Sequence, residues 1–596
     1  MARRLQTLLR FVTCAFALEA PCAETFDAAV AHEVSVGGMI RVTGRDRALI
    51  GGGNGGTGTS VNFDDGNLNY GRGLTALGAQ GRSTVDARLG AVEFRLEAVY
   101  FHDVINADGK TDHRTLSSEA RDRAGRNAYL NDAYVGLSGA FLDATLGLRL
   151  GNQILRWSDS PSFGYSIAPV NSVAASRRYQ PGNAVKEASV ALPMLVARVA
   201  TPQWNLSAFY QLAFKPSESD AAGTFLSAND YYSPGARYLQ LGQGSPLVAD
   251  ADASVVTPAT PFGSRVPRAD DRRPASGGQF GARIETPELG WAKAILAGYA
   301  MRVHSREPIV SVRTGTLGGL LRTTAPDYTS SGDYFVEYLS DVTILGATAR
   351  LSPAAYTRLN LEYSIRRRQP LQIDDDTLIT AGLAPAAALG ACAPNPGSPV
   401  CVATLAALNR NPIIASRGGM TVANAPSFFA TEISGYERFD VSQCAALLGQ
   451  GLPPVLHASQ GAFLAEVGGV FIHGFKDRFI DASVSSRPDA NGARRSGFAT
   501  RSSWGYRLST RLDYAGLAGV QSVSPSLTWI HDVHGNAPIN MGTLLEGSKS
   551  VVLAVDLGWE KHLRARVSYR SYLGVGNNAD RFTDRDFVAF TLTKAF

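Results

Sequence analysis

Few residues in this chain stand in patterns that could do chemistry. His531, Asp532 and His534, in HDVHG, set two imidazoles three residues apart around a carboxylate. A metal ion or the histidine–acid half of a hydrolytic triad could use that spacing. No serine in a nucleophile-elbow context accompanies them, so they read as a polar strand end entering a loop. GGGNGG (51–56) lacks the Lys-Ser/Thr ending of a phosphate loop and follows no βα unit, which makes it a flexible loop. Asp374, Asp375 and Asp376 lack the rest of a calcium-loop pattern and read as a solvated acidic turn, touching divalent ions among surface lipopolysaccharide. No catalytic residue, metal site or cofactor is expected.

The cysteines are more specific. Cys392 and Cys401 bracket APNPGSPV, a Pro/Gly turn segment able to bring them together as a disulfide in an oxidising compartment. Cys444 is left unpaired.

Charge is the remaining chemistry, and it recurs at every second position. Glu93, Arg95 and Glu97 alternate with Val92, Phe94 and Leu96; Arg358, Glu362 and Arg366 oppose Leu359, Leu361, Tyr363 and Ile365. Arg507, Arg511 and Asp513 oppose Trp504, Tyr506, Leu508 and Leu512. Asp556 and Glu560 oppose Val555, Leu557 and Trp559, and Arg564, Arg566 and Arg570 oppose Ala565, Val567 and Tyr569. A period of two means strands, with the charges on one face.

Those strands run to about 10–14 residues, longer than soluble ones and matched to a tilted membrane strand. Trp204, Trp291, Trp504 and Trp559 mark strand ends, where interfacial aromatic girdles lie. No stretch after residue 23 is apolar for long enough to be a spanning helix. Residues 1–23 have the layout of a secretory signal peptide: Arg3 and Arg4, an apolar stretch from Phe11 to Leu18, then small residues around Ala20 and Ala23. The 57 basic residues are scattered without runs, which argues against a nucleic-acid partner.

The fold class expected is therefore all-β, a transmembrane antiparallel β-barrel of about 18 strands, with 16 as the alternative count. Strands are expected near 33–44, 79–89, 92–103, 127–138, 143–152, 185–199, 203–215, 277–286 and 291–303. The others lie near 338–350, 357–368, 434–447, 461–473, 503–515, 522–533, 548–561, 563–573 and 585–596. Linkers alternate short and long, so 24–596 forms one barrel, with long outer loops inserted at 216–276 and 369–433. One of those loops, or 51–78, is expected to fold over or into the pore, since a barrel this wide otherwise leaves an aqueous channel.

FDDGNLNYGRG (63–73), YQPGNAVKEASVALP (179–193), GTFLSANDY (223–231), GGQFGARIETPELG (277–290) and VHSREP (303–308) occur in that order. EYLSDVTILG (337–346), WGYRLSTRLDY (504–514), HDVHGNAP (531–538), EGSKS (546–550) and DRDF (584–587) follow. Through these landmarks the chain resembles the proteobacterial outer-membrane family catalogued as domain of unknown function 1302. RWSDS (156–160) stands where that family has a WGES-like motif. The resemblance implies an outer-membrane barrel associated with a periplasmic lipoprotein and an inner-membrane transporter that handle lipid-like or steroid-like compounds.

A non-enzymatic, porin-like transport channel of the Gram-negative outer membrane is expected, reached by export through the periplasm. It would move a small hydrophobic or amphipathic solute and be embedded in lipid and lipopolysaccharide. The fourteen charged residues from Glu93 to Arg570 would line its lumen, since a charge turned to lipid at mid-depth costs about 2–4 kcal/mol. The alternatives are an outer-membrane hydrolase using His531 or His534, and an adhesion or assembly scaffold whose lumen would be filled solid.

Overall fold

The computed structural model describes residues 26–596 apart from 59, 164–165, 169, 184–187, 243–247, 251–253, 259, 323–326, 476–478, 483–486, 489–494, 517–518, 543, 561 and 575–580. At 487–488, 495–496 and 560 it describes the backbone alone. The signal peptide expected at 1–23 lies outside the described residues.

Eighteen strands pair in chain order into one antiparallel sheet. They are β1 (Phe26–Arg41), β2 (Gly73–Leu89), β3 (Val92–Asp103), β4 (Arg126–Phe141), β5 (Ala144–Gln153) and β6 (Leu192–Ala200). Next come β7 (Asn205–Gln211), β8 (Phe280–Glu285), β9 (Ile295–Val303), β10 (Val342–Ala354), β11 (Thr357–Gln372) and β12 (Tyr436–Leu452). The circuit ends with β13 (Gln460–Ile472), β14 (Ser502–Ala515), β15 (Ser522–His534), β16 (Lys549–Glu560), β17 (Leu563–Tyr572) and β18 (Phe587–Ala595). The last strand pairs with the first from Glu33↔Ala595 to Arg41↔Phe587, so the sheet closes and no edge is left open.

Alternation sorts the side chains to two surfaces. Val34, Val36, Val92, Phe94, Leu150, Ile284, Leu296, Leu345, Leu361, Leu508, Leu553, Val567 and Leu592 stand exposed on the outer face. Such an apolar exterior on a closed sheet, with its backbone groups paired, is what hydrocarbon tolerates. β4 interrupts the alternation once: its register against β3 slips between Leu96 and Ala98, and both Asn131 and Asp132 reach charged partners in the lumen.

One end of the barrel has short turns, such as Gly90-Ala91 and Leu142-Asp143, and the other carries the long connections. Those connections are not plain loops. The 369–433 region, expected to be an irregular insertion, holds the helices Asp375–Cys392, Pro399–Leu408 and Pro412–Ser416. Its first helix is apolar on all sides and contains Pro385, so no amphipathic period announces it. Asp374, expected in a solvated turn, is 1% exposed and caps that helix, accepting from the Thr377 N–H at 3.0 Å. Cys392 and Cys401 are disulfide-bonded and join this helix to the next.

Hydrophobic packing concentrates in the cap and at one side of the lumen. The largest cluster gathers Leu371, Ile373, Leu378, Ile414, Tyr334, Ile433, Val441 and Ile472 beneath the long connections. A second joins Leu155, Trp157, Ile167 and Val170, from the connection between β5 and β6, to Leu192, Met194, Phe209, Tyr299 and Ile344 of the inner wall.

Candidate functional site in the barrel lumen

While residues of 216–276 and 369–433 pack over the long-loop end with Val441, Val470 and Ile472, the segment 154–191, which the sequence did not single out, turns into the pore through its described residues. Its apolar residues give the reason: Trp157 packs against Phe209 and Tyr299 with ring centroids 5.3 and 5.7 Å apart, burying both the loop and the inner faces of β7 and β9. Polar anchors fix its height. Ser158 donates to Glu362 at 2.8 Å, the Ile167 N–H points at the same carboxylate at 3.3 Å, and Ser166 bonds Ser364 at 2.9 Å. Ser160 donates to Glu466, which also accepts from the Ser162 N–H at 3.3 Å. RWSDS thus meets wall carboxylates through its two serines, and Asp159 lies 3.7 Å from Arg350. Phe163 lies so close to β13 that a Cβ on Gly468 would sit 2.3 Å from its ring.

On the far wall the same connection is held by Asn183, which accepts from Gln80 at 2.8 Å and Arg82 at 2.9 Å. Arg177 stacks on Tyr129 at 3.6 Å. Beneath the cap, Arg306 of VHSREP is 4% exposed. It donates to Val170 O at 3.2 Å, Ser172 Oγ at 3.3 Å, Lys215 O at 3.1 Å, Gln211 Oε1 at 2.5 Å and Gln279 Oε1 at 3.3 Å. Burial pulls its guanidinium down to about 10, still charged at neutral pH.

Below the loop the lumen wall carries groups of ion pairs. Arg95 lies 3.0 Å from Asp86, 3.6 Å from Glu97 and 3.7 Å from Asp132, while Arg149 meets Glu93 at 2.5 Å. Glu285 pairs with both Arg283 and Arg350. Asp556 joins Arg511 at 3.1 Å to Arg566 at 2.9 Å, and Arg511 also meets Asp513 at 2.8 Å. Arg564 reaches across the closing seam to Glu33 at 2.7 Å.

Of the fourteen charged residues singled out from the sequence, Glu93, Arg95, Glu97, Arg511, Asp513, Asp556, Arg564 and Arg566 belong to these groups. Glu362 holds the inward loop, and Arg366, 5% exposed, donates to Ser166 O at 3.4 Å. Arg507 pairs with Asp532 at 2.7 Å and lies over Phe163. Arg570 stacks on Tyr572 at 4.7 Å. Arg358 is exposed and has no ion-pair partner among the described residues. The Glu560 side chain lies outside the described residues.

Sequence reasoning missed Glu466, Glu33, Asp86, Arg149, Arg350 and Arg306. The first five sit on the inner phase of alternating strands and were detectable by extending the same count. Arg306, in a loop, carried no such signal. The inner wall is also less polar than alternation suggests: Leu192, Met194 and Val196 face the inward loop while Leu195 faces outward, so LPMLV (192–196) is apolar on both sides, and Arg198 restores a charge to the inner face only beyond it.

The HDVH group does not converge. His531 turns to the outer face beside Tyr506, 3.3 Å from its hydroxyl, while Asp532 turns inward to Arg507 and the Leu545 N–H. His534 lies 3.4 Å from Glu546. A triad or a two-histidine metal site needs these groups on one side of the strand.

The model of a family described as a protein of unknown function, DUF1302, matches residues 6–596. The chain belongs to that family. No curated protein matches its sequence. Among solved structures, Pseudomonas aeruginosa OccK2 (OpdF) in complex with glucuronate is similar at 10% identity and a TM-score of 0.36, covering 96% of this chain and 97% of that one. Pseudomonas aeruginosa OpdK with vanillate gives 11% and 0.37, covering 96% and 98%. A BenF-like porin from Pseudomonas fluorescens Pf-5 gives 8% and 0.38, covering 96% and 98%.

Proposed function

We propose that this protein is an outer-membrane channel whose inward loop, 154–191, sets what passes, and that its solute is amphipathic, with an anionic head and a lipid-like or steroid-like body. The observation that carries the channel reading is the exposure of charged side chains on the inner face. The side chains of Arg511, Arg566 and Arg564 keep 48%, 50% and 61% of their exposure although they point into a closed barrel. A scaffold with a solid interior would bury them. The divergence of His531, Asp532 and His534 speaks against the hydrolase reading.

The chemistry of the route supports the solute class. Arg358, exposed on the inner phase of β11 with no ion-pair partner among the described residues, offers positive charge to a carboxylate or similar head. Leu447 and Leu464 face the same lumen from β12 and β13, offering an apolar track for the body. The barrel would sit among lipid and lipopolysaccharide, and the family resemblance supports hand-over between it, a periplasmic lipoprotein and an inner-membrane transporter.

The test is electrical and chemical together. Protein lacking 158–168 should open to large, steady, porin-like conductance in planar bilayers, while the intact chain stays narrow. Cells lacking the protein should take up a labelled steroid carboxylate or fatty acid more slowly and recover with the intact gene. Large steady conductance from the intact chain would refute the role of the loop, and unchanged uptake of both probes would refute the solute class.

A further inference from the structure

Two of the segments that carry the family resemblance, FDDGNLNYGRG and GTFLSANDY, lie 150 residues apart in sequence and meet in the cap at the long-loop end. The contact is close: a Cβ on Gly66 would fall 2.5 Å from Thr224 O and 2.6 Å from Ser227 O. Buried arginines lock it. Arg41, at the end of β1, donates to Tyr70 O at 2.7 Å and Asn67 Oδ1 at 2.7 Å and pairs with Asp584 at 2.9 Å. Arg585 donates to Phe225 O at 2.9 Å and Ser227 O at 2.5 Å.

Carboxylates collect where the segments touch. Asp64, Asp65 and Asp230 each place an oxygen within 4.8 Å of the others, and Asp65 also forms such a trio with Asp250 and His113. Some of these oxygens have donors. Asp64 accepts from the Gly51 N–H at 2.7 Å, Asp230 from the Asp65 N–H at 3.0 Å, and Asp250 from Asn54 at 2.8 Å, with Arg114 at 3.5 Å. Asp65 Oδ1 and Asp230 Oδ1 accept no hydrogen bond among the described residues, although both atoms are shut off from solvent, and His113 Nε2 stands 3.8 Å from Asp65 Oδ1. Two orphan anionic oxygens facing one cluster are expensive unless a cation or a proton completes them. Burial and mutual repulsion push Asp64 and Asp230 up to about 8.

We propose that Asp64, Asp65 and Asp230, with Asp250 beside them, hold one Ca²⁺ ion that fastens segment 42–72 to segment 212–279 in the cap. The donors of the Asp64–Asp65–Asp230 trio are all oxygen, which suits a hard cation. Their irregular supply from two loops suits the variable coordination of Ca²⁺ better than the strict octahedron of Mg²⁺. Compensation by neighbouring cations is partial: Arg114 and Arg585 face the cluster, and His113 stands at its exposed side. The sequence reading expects no metal here because the ligands come from separate segments with no common spacing.

The test uses the full chain refolded in detergent free of lipopolysaccharide, stripped with EDTA and then given Ca²⁺ or Mg²⁺ alone. Calorimetric titration should show one saturable Ca²⁺ site. Limited proteolysis within 212–279 at pH 8 should slow at least tenfold with Ca²⁺ and less with Mg²⁺. Asp65→Asn with Asp230→Asn should abolish both effects, and heat-modifiable gel mobility checks that this variant still forms the barrel. Asp108→Asn, at an exposed acid paired with Lys110, should leave both intact. The proposal is overturned if Ca²⁺ binds the double variant as well as the parent, or if cleavage in EDTA is already slow at pH 6 and Ca²⁺ changes nothing at pH 8, which would mean that protons alone complete the cluster.

Discussion

Replacing Arg306 by Met should loosen the inward loop without harming the barrel. The side chains are similar in length, so packing against Phe214 survives, while five acceptors lose the guanidinium, and Val170 O, Lys215 O and Gln279 Oε1 keep a second donor in Gln211, Ser172 and the His304 N–H. Two of them, Val170 O and Ser172 Oγ, belong to the loop. A hydrogen bond from a charged donor contributes about 1.5–3 kcal/mol, so the loop loses about 3–6 kcal/mol of attachment through these two bonds. Part is returned because Met carries no charge to desolvate, and the Trp157 cluster and the Glu362 and Glu466 anchors remain. A net loss of about 2 kcal/mol corresponds to a roughly 30-fold rise in the detached population. Single-channel recording should therefore show the high-conductance state about 30 times more often than in the parent, with gel mobility of the folded barrel unchanged. Arg302→Met, which removes an exposed pair with Asp341, should change nothing. An unchanged conductance histogram and unchanged protease resistance of 154–191 would refute the claim that Arg306 holds the loop in place.

Replacing Arg564, Arg566 and Arg570 together by Gln strips three positive charges from one wall and leaves Glu33 without its Arg564 partner, while Asp556 keeps only Arg511. The reversal potential under a salt gradient should move toward cation selectivity and uptake of an anionic probe should fall; normal folding with neither change would leave these residues only a structural role. Cys392→Ser should loosen the helix pair 375–408, since closing a loop of sequence separation 9 is worth about 2.5 kcal/mol of denatured-state entropy. Faster proteolysis of that region, with barrel and conductance retained, is the expected result. Asp375 in the cap is pushed up to about 7 by burial, then by Asp374 and Asp376, with Asp481 near and Arg581 opposing. Its folded form binds a proton more tightly than the unfolded chain, so its contribution to stability is fully present below about pH 4 and is lost as pH rises toward 7. Amide exchange in the helix Asp375–Cys392 should accelerate over that range, and exchange corrected for intrinsic rate that stays flat would contradict the assignment.

The sequence by itself determined the wall. Period-two alternation depends only on neighbours along one strand, so VEFRLEAVYF and LRARVSYRSYL declared both their conformation and which face meets lipid. The alternation of short and long connections then supplied the strand count, and closure followed because a lipid-exposed sheet edge leaves backbone groups unpaired. The Cys392 and Cys401 pair was readable because nine residues and a Pro/Gly turn form a local constraint.

What the wall surrounds was decided by tertiary structure. Nothing in the spacing of 154–191 says that it turns inward, because its partners Glu362, Glu466, Asn183's neighbours on β2 and the Arg306 guanidinium are remote in sequence and none shares a period with it. Where that loop covers β6 the strand is apolar on both faces, and the alternation that reports direction elsewhere disappears. The helix Asp375–Cys392 escaped for a related reason, since apolar residues occupy all its faces and no amphipathic period marks it. Asp64, Asp65 and Asp230 become one cluster only through the packing of two distant segments, held by Arg41 and Arg585. Long-range convergence of this kind is set by which surfaces the folded chain must cover, and a single sequence does not display those surfaces.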